Sequence, residues 1–151
     1  MSFEPEQFMH VTLTERSSTE FPVIPEGTYT CLLGEAKLSK NLSKKTGDEF
    51  LSVDIECEID DERVREAVGR DKVTSRLGFI VDLDEHNGSM VIAEGEGVNV
   101  RLGWLREAIG LNEKEFNFGM VGGQVVMGQL KNKAGEGGQV FSNIVRVAKP
   151  E

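Results

Sequence analysis

Four lysines lie close together in the sequence and have the right chemistry to contact phosphate groups. Lys37, Lys40, Lys44 and Lys45 occur with no acidic residue among them, although the whole chain carries a formal net charge of −9. Lysine ammonium groups bind phosphates as point charges. A run of lysines is also common in a solvated loop, so both interpretations stay open at this point.

Other cations and several aromatic residues would extend such a site. A protein that binds a single nucleic-acid strand needs cations along the backbone path and aromatic faces for the bases, each stacked base contributing ~1–3 kcal/mol. Phe50 is the best stacking candidate because it lies on the polar side of an alternating segment, whereas Tyr29 also fits the edge of a core. The predicted site residues are Lys37, Lys40, Lys44, Lys45, Phe50, Arg76, Lys131, Lys133, Tyr29 and Phe141.

Composition indicates one globular domain inside a cell. The chain has 151 residues, of which 38% are hydrophobic and 28% charged, and it contains no apolar run near the roughly 20 residues that span a bilayer. Residues 1–6 lack the basic start and apolar core of a signal peptide. The net charge opposes nonspecific binding of polyanions over the whole surface, but it permits a basic groove on an acidic body.

Catalytic, metal and cofactor motifs are missing from the sequence. No G-x-x-x-x-G-K-[ST] segment is present, and residues 82–88 resemble a calcium loop only loosely, with Ala93 where the bidentate glutamate would be. His10 and His86 have no neighbouring ligand pattern. Cys31 and Cys57 are expected to be reduced and buried as small hydrophobic residues. We therefore predict a non-enzymatic protein without a cofactor.

Three extended segments are predicted in the first part of the chain. Residues 25–40 form the first strand, with Gly34 as the point where it bends or carries a bulge. Residues 50–59 alternate apolar and polar side chains, the pattern of a half-buried strand. Residues 73–83 form the third strand, which continues through an Asn-Gly turn into a further short strand at 89–93. A short surface helix is expected within residues 60–72.

In the second part of the chain the spacing of the apolar residues changes from the alternation of a strand to the spacing of a helix. Residues 99–110 place Leu102, Leu105, Ala108 and Ile109 on one helical face, with Asn99 as N-cap and Gly110 as the C-terminal stop. A second helical turn is expected at residues 113–116. Two strands at 123–131 and 139–149 close the chain, joined by a glycine-rich hairpin loop.

The order of these elements predicts a mainly β protein. Five strands with a helix between the third and fourth are the plan of the oligonucleotide/oligosaccharide-binding barrel, the OB-fold, here with an extra hairpin that extends strand three. The domain is predicted at residues 22–149, after an acidic N-terminal arm at residues 1–21. Loops between strands one and two and between strands four and five flank the binding face of this fold, and both loops here are basic.

The chain resembles the small single-stranded-DNA-binding proteins of OB-fold type that bacteriophages encode in their recombination and replication gene clusters. This resemblance covers roughly residues 25–147 and rests on the order of short motifs. It implies sequence-independent binding of single-stranded DNA in the host cytoplasm. It also implies replication or recombination proteins as partners. The motifs are Pro25-Glu26-Gly27-Thr28-Tyr29, Thr46-Gly47-Asp48-Glu49-Phe50-Leu51, Arg101-Leu102-Gly103-Trp104-Leu105-Arg106-Glu107-Ala108-Ile109-Gly110-Leu111, Val121-Gly122-Gly123 and Asn143-Ile144-Val145.

Two questions concern the partners of this protein: how they would be recruited, and whether a protein instead of DNA is the main ligand. Many of these phage proteins end in an acidic tail that recruits partners, whereas this sequence ends in Ala148-Lys149-Pro150-Glu151, so recruitment by a tail is not expected. The second candidate function is a protein-interaction module, such as a virion component or an inhibitor of a host factor, that uses the acidic surface and the arm. The sequence leaves the oligomeric state open, including a homo-oligomer.

Overall fold

The computed structural model describes residues 2–17 and 23–150 and consists mainly of β-strands. In these residues two α-helices interrupt the strands: α1, which follows the second strand, and α2, which follows the fifth. Their bounds are α1 Glu62–Val68 and α2 Val100–Ala108. The strands are β1 Gly27–Leu42, β2 Glu49–Ile59, β3 Thr74–Val81, β4 Leu83–His86, β5 Ser89–Ile92, β6 Val125–Ala134 and β7 Val140–Ala148.

Five of the strands form one sheet whose ends meet. The pairing order is β1-β2-β3-β7-β6, and β6 pairs back onto β1. Strands β3 and β7 run parallel, whereas the other four pairings are antiparallel. The mainly β class and the helix between the third and fourth strands of this sheet are confirmed. The ring of pairings leaves the outer surface of β2 and β3 as a continuous face.

Strand β1 bends so that it can serve two neighbours. Residues 27–32 pair with β6, while residues 31–42 pair with β2. The register against β2 shifts between Leu33 and Ala36, which places the predicted bulge at Gly34. A Cβ on Gly34 would lie 3.1 Å from the carbonyl oxygen of Glu56. Glycine therefore lets the two backbones approach closely at the bend.

The core lies inside the closed sheet. Alternate side chains of each strand point into it. Val53, Ile55, Cys57 and Ile59 of β2 are fully buried, as the alternation predicts. Leu102, Leu105 and Ala108 of α2 join the same cluster. Cys31 is also fully buried, and Gly128 on β6 makes room for it, because a Cβ there would lie 2.8 Å from the Cys31 Sγ. The prediction that both cysteines are buried and unpaired is confirmed.

Helix α2 starts and stops where predicted, but Asn99 does more than the sequence indicates. Asn99 has a left-handed backbone (φ 50°), and its side chain does not cap the helix. It accepts a hydrogen bond from the Asp82 amide (2.7 Å) and donates to the carbonyls of Asp82 (3.1 Å) and Ala93 (2.8 Å). Asn99 thereby ties the base of the β4–β5 hairpin to the start of α2. Gly110, with φ of +77°, ends the helix as predicted.

The predicted extension of strand three is wrong in detail. Strand β3 ends at Val81, and β4 and β5 form a separate two-stranded sheet instead of lengthening it. The Asn-Gly turn itself is confirmed, since Asn87 (φ 51°) and Gly88 (φ 80°) both have positive φ. The Asp82 amide and carbonyl bond to the Asn99 side chain, which separates the two sheets at that residue.

Of the two minor helical predictions, one is confirmed and one is wrong. Helix α1 forms within residues 60–72, and its N-cap Asp61 accepts from the amides of Arg63 and Val64. Residues 113–116 are not helical, and a short 3₁₀ turn forms instead at Phe118–Met120. The Arg106 guanidinium donates hydrogen bonds to the carbonyls of Leu111, Asn112 and Lys114. These hydrogen bonds hold the chain that follows α2 in a non-helical path.

The described residues of the N-terminal arm contribute nothing to the core. Residues 2–17 are exposed throughout and contain one 3₁₀ turn at Pro5–Phe8. The rest of the predicted arm, residues 1 and 18–21, lies outside the described residues. Neither α-helix in the described part of the chain is long and apolar enough to cross a membrane.

Replacing Asn99 by alanine is expected to destabilise the protein by about 1–3 kcal/mol more than replacing Asn87 by alanine. Both residues have a left-handed backbone, so both substitutions carry a similar conformational cost, but only Asn99 makes three hydrogen bonds to Asp82 and Ala93. Urea unfolding of N99A and N87A measures the difference. Equal destabilisation would show that the hydrogen bonds contribute nothing.

The free energy of unfolding is expected to fall as the pH rises above 9. Burial raises the pKa of Cys31 to about 11 and the pKa of Cys57 to about 12 from an ordinary value of 9.0. Unfolded thiols therefore ionise first, which favours unfolding between pH 9 and 12. Urea unfolding from pH 8 to 11 should show a flatter decline for C31A/C57A than for the natural chain. Parallel declines would contradict this origin.

Candidate nucleic-acid interface

One end of the candidate interface is the tip of the β1–β2 hairpin. Lys44 and Lys45 occupy the turn after β1, which is closed by a hydrogen bond from the Ser43 amide to the Asp48 carbonyl (2.8 Å). Phe50 follows at the start of β2, half-buried and directly opposite Asn41. The described residues place no carboxylate within 4 Å of either lysine ammonium group. The tip therefore presents two lysines beside an aromatic ring.

The outer face of β1, β2 and β3 continues from this tip. Directly opposite residues in antiparallel strands share a face, so the register puts Lys37 beside Asp54 and Ser39 beside Ser52. Ser52 in turn lies opposite Ile80 of β3, which is 58% exposed. This part of the face is thus a mixture of small polar side chains and one exposed aliphatic residue.

Arg76 lies further along the same face and is held by an ion pair. Its guanidinium bonds to a carboxylate oxygen of Asp54 on the neighbouring strand. Gly78 makes this diagonal contact fit, because a Cβ there would lie 3.0 Å from the same Asp54 oxygen. Asn143 of β7 is level with Arg76 on the other side. A shallow depression at this point is lined by Lys37, Asp54, Glu56, Thr74, Arg76 and Ser142.

The other end of the interface is the β6–β7 hairpin. Lys131 lies opposite Asn143, and Lys133 lies opposite Phe141. The Phe141 ring rests over Gly135, where a Cβ would come within 2.4 Å of the ring, and yet 51% of the residue stays exposed. Glycine at 135 therefore leaves room for the aromatic ring to approach the turn closely while about half of the residue stays exposed.

These two ends lie at opposite ends of β3. Leu51 of β2 pairs with Val81, so the β1–β2 tip is beyond the last residues of β3. Asn143 of β7 pairs with Arg76 in a parallel pairing, so the start of β7 is beyond the first residues of β3. The eight residues of β3 span about 23 Å at about 3.3 Å per residue. Basic and aromatic residues thus flank a face of that length.

Two of the predicted site residues do not lie on this face. The ring of Tyr29 packs against the core, and its hydroxyl donates to the Pro25 carbonyl (2.6 Å). Lys40 lies opposite Leu51 on the inner side of the hairpin, and its ammonium is 2.8 Å from a carboxylate oxygen of Glu49. The structure brings the other eight toward the outer face or its two ends: Lys37, Lys44, Lys45, Phe50, Arg76, Lys131, Lys133 and Phe141.

Acidic side chains occupy the middle of the face. Asp54, Glu56 and Glu58 are the outward residues of β2. Asp54 is paired with Arg76, and a Glu58 oxygen lies 3.7 Å from the Lys72 ammonium, whereas Glu56 is exposed with no such partner among the described residues. The unpaired lysines lie mostly at the two ends, with Lys37 beside Asp54 between them, and the acidic row interrupts any continuous track of cations.

Sequence reasoning missed four neutral residues of the face. Ser39, Asn41 and Asn143 lie beside the predicted cations, and nothing in their types or spacing distinguishes them from ordinary surface residues. Ile80 carried a usable signal, because it is an apolar residue on the polar side of an alternating strand. An exposed aliphatic side chain at this position adds an uncharged apolar surface to the face.

The groups on this face can contact a ligand through charge, hydrogen bonds and aromatic rings. The described residues contain no cluster of three or more His, Cys, Asp or Glu side chains that would hold a metal ion. The segment that resembles a calcium loop forms the β4–β5 hairpin, with Asn87-Gly88 as its turn. What the face offers a ligand is cations and aromatic rings at its ends, with acidic and small polar side chains between them.

Comparison with known proteins adds no family to this description. No protein-family model matches the sequence, and a search of curated proteins likewise gave no match.

Proposed function

We propose that the closed sheet is an OB-fold and that the protein binds single-stranded DNA without sequence preference and without catalysis. The observation that carries this proposal is the position of the two basic hairpins at opposite ends of the outer face of β2 and β3. Loops of this kind flank the nucleic-acid face of OB-folds. The strand order, with β3 parallel to the last strand, supports the same assignment.

Phosphates would contact the ends of the face and bases would contact its middle. Lys44 and Lys45 at one end, and Lys131 and Lys133 at the other, supply ammonium groups that no described carboxylate neutralises. Phe50 and Phe141 supply ring faces beside them. Stacking does not depend on base identity because every base has a π-face, which accounts for binding without sequence preference.

The acidic middle of the face limits where the DNA backbone can run. Phosphates placed over Glu56 would be repelled, so the backbone is expected to be held at the ends while bases point toward β2 and β3. Every base carries at least one N–H group in a single strand, the ring N–H in thymine, and carboxylates accept hydrogen bonds from such donors, which makes this orientation compatible with Asp54 and Glu56. A net charge of −9 then weakens nonspecific contacts elsewhere on the surface.

A protein-interaction module is the second candidate function. The observation that favours it is the same acidic row on β2, together with the exposed apolar side chains of the arm, among them Phe3 and Phe8. Under this alternative the sheet binds a protein partner through these surfaces, and deleting residues 1–21 abolishes capture of that partner. Its affinity for DNA would be negligible.

Fluorescence anisotropy with labelled oligo-dT separates the two functions. An oligonucleotide of about 30 nucleotides accommodates more than one site of about 4–16 nucleotides. The proposal expects sub-micromolar binding of the single strand that weakens with added salt, and no comparable binding of a duplex control. Failure to bind at low salt would overturn the proposal in favour of the protein-interaction module.

The double variant K44E/K45E is expected to bind oligo-dT more weakly and with a smaller salt dependence. Removing one interaction with a phosphate lowers the slope of log K against log salt by about 0.7, so removing two lowers it by about 1.4. R101E/K114E is the matched control, because it changes the net charge equally at residues on and after α2. Equal effects of both variants would mean that total charge, and not this hairpin, governs binding.

Replacing Phe50 or Phe141 by alanine is expected to weaken binding about 5- to 150-fold, the equivalent of ~1–3 kcal/mol of stacking. The salt slope should stay unchanged, because no cation is removed. The same anisotropy titration over a salt series measures both quantities. Unchanged affinity in F50A and F141A would remove these rings from the interface, and a changed salt slope would show that the hairpins themselves had been disturbed.

A further inference from the structure

The second half of β1 has an open edge. Residues 36–42 pair with β2 on one side, whereas pairing with β6 ends at Leu32. Within the described parts of the chain no strand pairs with the other side of residues 36–42. Alternate backbone N–H and C=O groups along this edge are therefore available to an added strand.

Apolar side chains accompany this open edge. Leu38 is 49% exposed and Leu42 is 65% exposed, and both lie on the side of the hairpin that continues the core. Strands usually avoid such exposure at an edge because it invites pairing with another segment. The edge thus offers both backbone hydrogen bonds and an apolar surface.

The sequence of the N-terminal arm has the pattern of a strand that fits this edge, although in the undocked arm residues 9 and 10 form a turn and the Met9 and Val11 amides bond to the carbonyls of Glu6 and Phe8. Met9, Val11 and Leu13 alternate with His10, Thr12 and Thr14, and all three apolar residues are exposed. Threonine and valine favour extended backbone. Glu4, Glu6 and Glu15 also give the arm an acidic character, opposite to that of the lysine-rich hairpin.

We propose that residues 9–14 of the arm add to the open edge of β1 in the same molecule, antiparallel to residues 37–42. The register that matches the apolar residues pairs Leu13 with Leu38 and Met9 with Leu42. It also pairs Thr12 with Ser39 on the outer face. This one register covers both exposed leucines and satisfies the free backbone groups of the edge.

The same register brings carboxylates to the lysine-rich tip. When the 3₁₀ turn at Pro5–Phe8 opens into extended backbone in line with the docked strand, Glu6 comes level with Lys45, with Glu4 beyond it. The arm would then neutralise the cations that the proposed function assigns to DNA phosphates, so this consequence rests on that function. An arm docked in this way competes with single-stranded DNA for one end of the interface.

The chain is long enough for the arm to reach this edge of its own sheet. In the proposed register Glu15 lies beside Ala36, nine residues along β1 from Gly27, a distance of about 30 Å at about 3.3 Å per residue. The twelve residue steps from Glu15 to Gly27 extend to about 40 Å. Attachment to the same chain also gives the arm a high effective concentration at the edge.

Disulfide trapping tests the docking without reference to DNA. In T12C/S39C the two thiols face each other in the proposed register and should form an intramolecular disulfide rapidly under mild oxidation. T12C/S52C is the matched control, because Ser52 lies directly opposite Ser39 on β2 and is one strand further from the edge, about 5 Å. The native thiols are fully buried, and non-reducing electrophoresis with peptide mapping identifies the bond.

Faster closure of T12C/S39C than of T12C/S52C, in a monomeric product, is the expected result. Equal rates for the two pairs would show that the arm does not dock at this edge, and a covalent dimer as the main product would assign the edge to a second copy. Either outcome overturns the proposal.

The effect on DNA is measured separately with E4Q/E6Q. This variant should bind oligo-dT several-fold more tightly at low salt, with the gain disappearing at high salt because charge attraction is screened. E113Q/E115Q, in the loop after α2, is the charge-matched control. Equal gains in both variants would overturn competition by the arm, whereas absence of DNA binding in every variant would overturn the proposed function and leave the disulfide result to decide the docking.

Discussion

The close approach of β1 and β2 at Gly34 is the constraint on which the architecture depends. The bulge at this residue turns β1 so that its first half pairs with β6 and its second half with β2. Without that bend one strand could not pair with both neighbours, and the ring of five strands would have an open seam. The buried cluster of aliphatic side chains and the two cysteines forms inside the ring because the ring closes.

Closure also determines what lies on the outside. The parallel pairing of β3 with β7 puts the β1–β2 and β6–β7 hairpins at opposite ends of one face. Two hairpins that are far apart in the sequence therefore flank the same surface. Small residues shape that surface locally, since Gly78 admits the Arg76–Asp54 ion pair and Gly135 admits the Phe141 ring.

The same bend leaves an edge of β1 that no strand in the described part of the chain covers. Because β6 pairs only with the first half of β1, residues 36–42 extend beyond the ring with one side unpaired among the described residues and two leucines exposed. The feature that closes the sheet thus also creates the surface on which the arm is proposed to dock. Lysines at this hairpin suit both an acidic arm and a phosphate backbone, which is why the two are proposed to compete.

Local chemistry in the sequence determined much of the fold. Alternation located β2 and its buried face, Asn87-Gly88 located a turn, Gly34 located the bulge, and Gly110 located the end of α2, because each depends on a few neighbouring residues. Tertiary structure decided the rest. The Asn99 side chain bonds to residues brought near by folding, Arg106 holds its downstream segment out of a helix, and Lys40 and Tyr29 point away from the outer face. Cross-strand register decides which lysines share a surface with Asp54 and Glu56, and that register is set by contacts between strands distant in the chain.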